Sequence, residues 1–148
     1  MKYNPYIIGV IRDVDGMEMD DRYVLYKYRT FASNEKTKMF SLDSYKKHFD
    51  LLCCGADKCR EMKNNWELFC RQMSRASSES GLNYDEDTIK FCLGRMCTYI
   101  MKLKKNIEEC CSCENSKICD TIQRDIEHVS AALFACMFSC GVVVPGDE

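Results

Sequence analysis

Four thiols crowd one short stretch, Cys110-Cys111-x-Cys113-x5-Cys119, and thiolates hold zinc when their spacing lets four ligands converge. Structural zinc sites usually pair two Cys-x2-4-Cys knuckles; here the histidine closest to the thiols, His128, lies about a helix length away. An exposed cysteine-rich loop is the simpler expectation, and a zinc or redox module is the alternative. Enzymatic chemistry is poorly provided for. His48 and His128 sit in ordinary helical contexts, neither a Gly-rich phosphate loop nor Gly-x-Ser-x-Gly occurs, and nothing marks one thiol as an activated nucleophile. The expectation is a non-enzyme with no cofactor.

The elements that must carry these residues follow from composition and period. The chain has 148 residues, 46% of them hydrophobic, which suits one globular domain spanning 1-148. A net charge of -2 with dispersed Lys and Arg argues against nucleic acid as the main partner. Twelve cysteines would suggest a disulfide framework in a secreted protein. However, the apolar run Tyr6 to Val10 is shorter than the roughly 7 to 15 residues of a signal peptide. Moreover Cys59, Cys70, Cys92, Cys97 and Cys136 fall on apolar helical stripes, so reduced thiols acting as small hydrophobes are expected in a cytoplasmic protein.

Residues 1 to 19, with Pro5, Gly9 and Asp15-Gly16, read as an irregular segment. Asp21 to Ala32 reads as a helix, in competition with a β-hairpin from Tyr6 to Arg29. A polar connection from Ser33 to Lys38 precedes a helix capped by Ser41 or Asp43 and running through Tyr45, Phe49, Leu52, Ala56 and Cys59. Asn64-Asn65 marks a break before a shorter helix, Trp66 to Met73, and Ser74 to Asn83 reads as a loop. Asp85-Glu86-Asp87 opens a helix to Asn106 with the acids its dipole favours. After a loop from Cys110 to Ser116, Ile118 to Cys140 completes an all-α bundle. The uncharged run Val129 to Val144 is shorter than the ~20 residues of a membrane span, so a buried helix is expected.

Two segments give this bundle a functional reading. Leu52-Cys53-Cys54-Gly55-Ala56-Asp57 would set Leu52 and Ala56 on one helical face with an acid at its margin, and this pattern resembles the third homology motif of the Bcl-2 family of apoptosis regulators. Cys92-Leu93-Gly94-Arg95, running into an apolar helix, resembles the Asn-Trp-Gly-Arg of the family's first homology motif, with Gly and Arg kept and Asn and Trp replaced. Order and separation also agree. Asp21 to Tyr28 is fainter but similar to the fourth motif, and no second motif is found.

The resemblance implies a Bcl-2-like bundle with a central apolar helix and a surface groove between the helices around Leu52 to Met73 and Asp85 to Met101. It implies an inhibitor of apoptosis of the kind large DNA viruses carry, taking the third-homology helix of Bim, Bak or Bax, and recruited to mitochondria through partners. By motif position Gly94 would allow close approach and Arg95 would pair with the ligand's aspartate. Cys59, Met62, Lys63, Trp66, Phe69 and Thr98 are the further groove residues by face. An empty apolar groove would favour a homodimer. The alternative within the family is a scaffold that blocks innate immune signalling without binding death-domain helices.

Overall fold

The structure, a computed structural model, describes residues 19–78, 85–110 and 116–143. Every regular element among them is helical: α1 (Met19–Ala32), α2 (Glu35–Phe40), a 3-10 turn (Asp43–Lys46), α3 (Lys47–Asp50), α4 (Ala56–Ser78), α5 (Glu86–Cys110) and α6 (Ser116–Cys140). α5 is central. It packs against α4 and α6 and touches α1, while α6 closes on α1 and α2. The cause is a stripe at steps of three and four: Ile89, Cys92, Leu93, Met96, Cys97, Ile100, Leu103 and Ile107 are all inaccessible to solvent. Each large side chain so buried contributes roughly 1.5–3 kcal/mol.

The hairpin reading fails over its second limb, because Tyr23 to Phe31 lies in α1; residues 6 to 18 lie outside those described. Val24, Leu25, Tyr28 and Phe31 are buried at helical spacing, and that burial outweighs the strand preference of the same residues. The connection Ser33 to Lys38 is likewise mostly α2. Asn34 caps it, its side-chain oxygen accepting from the Lys36 and Thr37 amides at 3.0 and 3.4 Å.

The helix expected from Tyr45 to Cys59 is interrupted. Residues 51–55 are non-helical between α3 and α4, Leu52 turns into the core, and Gly55 takes φ +94°, a conformation cheap only for glycine. Leu52 and Ala56 therefore do not share a helical face, which removes the geometric basis of the Leu-x-x-x-Ala-Asp reading. The break expected at Asn64-Asn65 is absent, since α4 runs straight through it. Asn65 is buried and its Nδ2 donates to Asn106 Oδ1 at 2.7 Å, while Asn106 Nδ2 donates to Glu61 Oε2 at 2.7 Å. This cross-helix pair outweighs the weak helix propensity of asparagine.

At its other end α4 continues to Ser78, past the loop expected from Ser74. Tyr28 Oη donates to the Met73 carbonyl at 2.8 Å and accepts from Ser77 Oγ at 2.8 Å, fastening the last turns to α1. α5 opens where the acids foretold. Asp85 Oδ1 accepts from the amides of Asp87 and Thr88, and the Thr88 hydroxyl on its other oxygen holds the carboxyl below its ordinary range. α6 buries Val129, Leu133 and Met137, and no helix among the described residues is long and apolar enough to cross a membrane.

The expectation of reduced thiols fails at one pair. Cys54 and Cys110 form a disulfide that ties residues 51–55 to the end of α5. Cys92, Cys97, Cys119, Cys136 and Cys140 are buried, and Cys59 and Cys70 half-buried, packed as small apolar side chains.

Two stability experiments follow from these contacts. Asn65→Ala leaves the buried Asn106 oxygen without its donor and is expected to cost about 1–3 kcal/mol in urea unfolding, with Asn65→Ala/Asn106→Ala less destabilised than the sum of the single variants. The disulfide spans 56 residues, and chain-entropy reasoning gives it about 4 kcal/mol. Cys54→Ser should lose most of that relative to oxidised protein and nothing relative to reduced protein.

Candidate interaction face on α5

The same 3.6-residue period that sinks one side of α5 raises the other. Phe91, Arg95, Met101 and Lys102 are exposed there, and Gly94 and Thr98 half-buried. Phe91 is 53% and Met101 44% accessible, large values for apolar side chains on the central helix. Gly94 lies within α5, about two turns from its start, rather than at the helix start. A Cβ built on it meets nothing within 4 Å. Thr98 Oγ1 donates back to the Gly94 carbonyl at 3.2 Å, so its hydroxyl is satisfied locally.

Arg95 is held by aromatic neighbours. Its Nη2 donates to Tyr99 Oη at 2.6 Å, and its guanidinium lies 5.8 Å from the Phe91 ring centroid and 5.4 Å from that of Tyr99. Arg75, from α4, covers Phe91 at 5.4 Å, and Lys102 covers Tyr99 at 5.9 Å. Cations and rings thus alternate along the face, each contact worth roughly 0.5–1 kcal/mol when exposed. Among the described residues no carboxylate pairs with Arg75, Arg95 or Lys102; Asp57 pairs with Arg60, Glu86 with Lys90, and Asp85 caps α5.

The residues expected to line one groove are divided among three places. Gly94, Arg95 and Thr98 share the open face. Met62, Trp66 and Phe69 are buried in the core that α4 joins, and Trp66 Nε1 donates to the Phe40 carbonyl at 2.8 Å, an unpaired acceptor at the end of α2. The groove expected between α4 and α5 is accordingly a closed seam. Cys59 and Lys63 line a separate cleft with Asp50, Leu52, Cys53 and Arg60, where Lys63 pairs with Asp50. Cys59 precedes Arg75 by about 24 Å of helix axis at 1.5 Å per residue, so this cleft and the α5 face lie at opposite ends of α4. The cysteine cluster also separates: Cys110 is in the disulfide and Cys119 buried beneath its carbonyl, while Cys111 and Cys113 lie outside the described residues.

Phe91, Tyr99 and Lys102 were not expected at the site, although their spacing from Arg95 complements the buried stripe and was open to that reading. Arg75 comes from another helix, and no pattern within α5 announces it. Searches against family models, curated proteins and solved structures return no match.

Because the space over Gly94 is empty, Gly94→Ala is expected to stabilise the free protein by about 0.5–1 kcal/mol through helix propensity alone. A lower urea midpoint for this variant would contradict the open geometry.

Proposed function

We propose that this chain is a Bcl-2-like inhibitor of apoptosis that takes an amphipathic helix from a pro-apoptotic protein of the Bim, Bak or Bax type. The observation that carries the reading is the empty space over Gly94 beside Arg95, which has aromatic neighbours and, among the described residues, no carboxylate partner. A glycine inside a helix sacrifices about 1 kcal/mol against alanine, and nothing among the described residues uses its missing Cβ. An incoming helix backbone would use it. Covering Arg95 would then remove a charge from water, a step that requires a carboxylate from the ligand. Phe91 and Met101 supply the exposed apolar surface that helix recognition needs.

The closed seam changes where such a helix lies. It rests on the outer face of α5 between Arg75 and Lys102, instead of wedging between α4 and α5. That same closure favours a second reading, a viral scaffold that blocks innate immune signalling through surface contacts and leaves death-domain helices alone. On the first reading the protein acts in the host cytoplasm and reaches mitochondria through its partners.

Calorimetry with a Bim-type peptide separates the two. Binding is expected, and Arg95→Ala should weaken it by about 2–5 kcal/mol, the range for truncating one partner of a buried charge pair. Removing the peptide's aspartate should cost little more in the Arg95→Ala background, since the two losses are coupled. Absence of binding by the folded wild-type protein would reject the first reading in favour of the second.

A further inference from the structure

The α5 face is positively charged over a long interval. Between Asp87 and Glu108 α5 carries no acid, yet it turns Arg95, Lys102 and Lys105 to solvent, and α4 carries none from Leu68 to Ser78 while exposing Arg71 and Arg75. In a chain of net charge -2 this is local segregation, and a local field steers partners whatever the overall balance. We propose that this face selects an acidic helical segment whose carboxylates stand one heptad apart, one meeting Arg95 and the other Lys102 or Arg75. This rests on the reading that a partner helix lies on α5.

The spacing comes from the ladder itself. Arg95 and Lys102 flank Tyr99 at 5.4 and 5.9 Å, and seven residues of α-helix rise about 10.5 Å. Arg75 and Arg95 flank Phe91 in the same manner, at 5.4 and 5.8 Å. Acids seven residues apart on a partner helix have the matching rise. A guanidinium lying over a ring spends its π-face and keeps its N–H edges for polar partners; Arg95 gives Nη2 to the Tyr99 hydroxyl, a neutral acceptor that a carboxylate can displace or join. The rings also argue against nucleic acid. Single strands are held by bases stacking on open aromatic faces, and here Tyr99 is buried while Phe91, the exposed ring, already has Arg75 and Arg95 beside it.

The test titrates the full chain, at low and physiological salt, with Bim-type peptides identical except at one position. One carries the motif aspartate alone, two add an acid seven residues to either side, and two carry lysine there instead. One of the diacid peptides is expected to bind about 10-fold tighter than the parent at low salt, with the gain shrinking as salt screens it. In Lys102→Glu or Arg75→Glu, both exposed and checked for unchanged unfolding, the preference should reverse so that a lysine peptide binds tighter than its diacid counterpart. Equal affinity of parent and diacid peptides for wild type would overturn this inference and leave the functional reading in place. Failure of every peptide to bind would overturn both. Binding of a labelled oligothymidylate, lost on the same charge reversals while the peptides are indifferent to them, would assign the face to nucleic acid and overturn the proposal.

Discussion

The seam between α4 and α5 is the constraint on which the rest depends. Its antiparallel register is pinned at one end by the Asn65–Asn106 hydrogen bond and the Lys58–Glu109 ion pair at 2.6 Å, and at the other by Arg75 over Phe91. The exposed ion pair adds little, whereas the buried amides have one compatible alignment, because any slip strands a polar atom away from water. Once that register is set, Met62, Trp66 and Phe69 must face inward, and no element among the described residues covers the remaining surface of α5.

The cysteines show how a small core can be filled. A thiol has little volume and sheds little hydrogen bonding on burial, so Cys92 and Cys97 let neighbouring helices approach α5 more closely than leucine would. Cys136 and Cys140 lie one turn apart on α6, and the hydrogen bond between them, together with burial, pushes the Cys136 thiol above its ordinary range. The Cys54–Cys110 bridge differs in kind. It holds Leu51 to Gly55 against the end of α5, where the connection could not stay helical once Leu52 entered the core.

Wherever one apolar stripe decided an element, the sequence was a sound guide. The placement of α5 and α6 and the acidic start of α5 follow from period and charge within single segments, although α5 runs to Cys110, past the end expected at Asn106. Errors arose where a distant partner decided. Asn65 reads as a helix breaker until Asn106 is placed beside it; Leu52 reads as a helical residue until its burial and the disulfide bend the chain around Gly55. The candidate face was legible in the same measure. Arg95 and Gly94 were visible as a pair within α5, but sorting Met62, Trp66 and Phe69 into seam instead of groove needed the packing of α4, and Arg75 needed it too.

On the proposed reading, Arg95 is a binding residue kept ready at low cost in the free protein. An extended arginine carries about 2 kcal/mol of rotamer entropy, part of which binding would have to remove. Stacking between Phe91 and Tyr99, with a hydrogen bond to the Tyr99 hydroxyl, removes some of it beforehand. Those partners are neutral, so each contact is worth less than a charge-assisted bond to a carboxylate. An arriving acid can therefore displace or join them with a net gain. A carboxylate built into α5 at this point would have held Arg95 more firmly and closed the face to any ligand. The acid-free interval from Phe91 to Ile107 is what leaves it open.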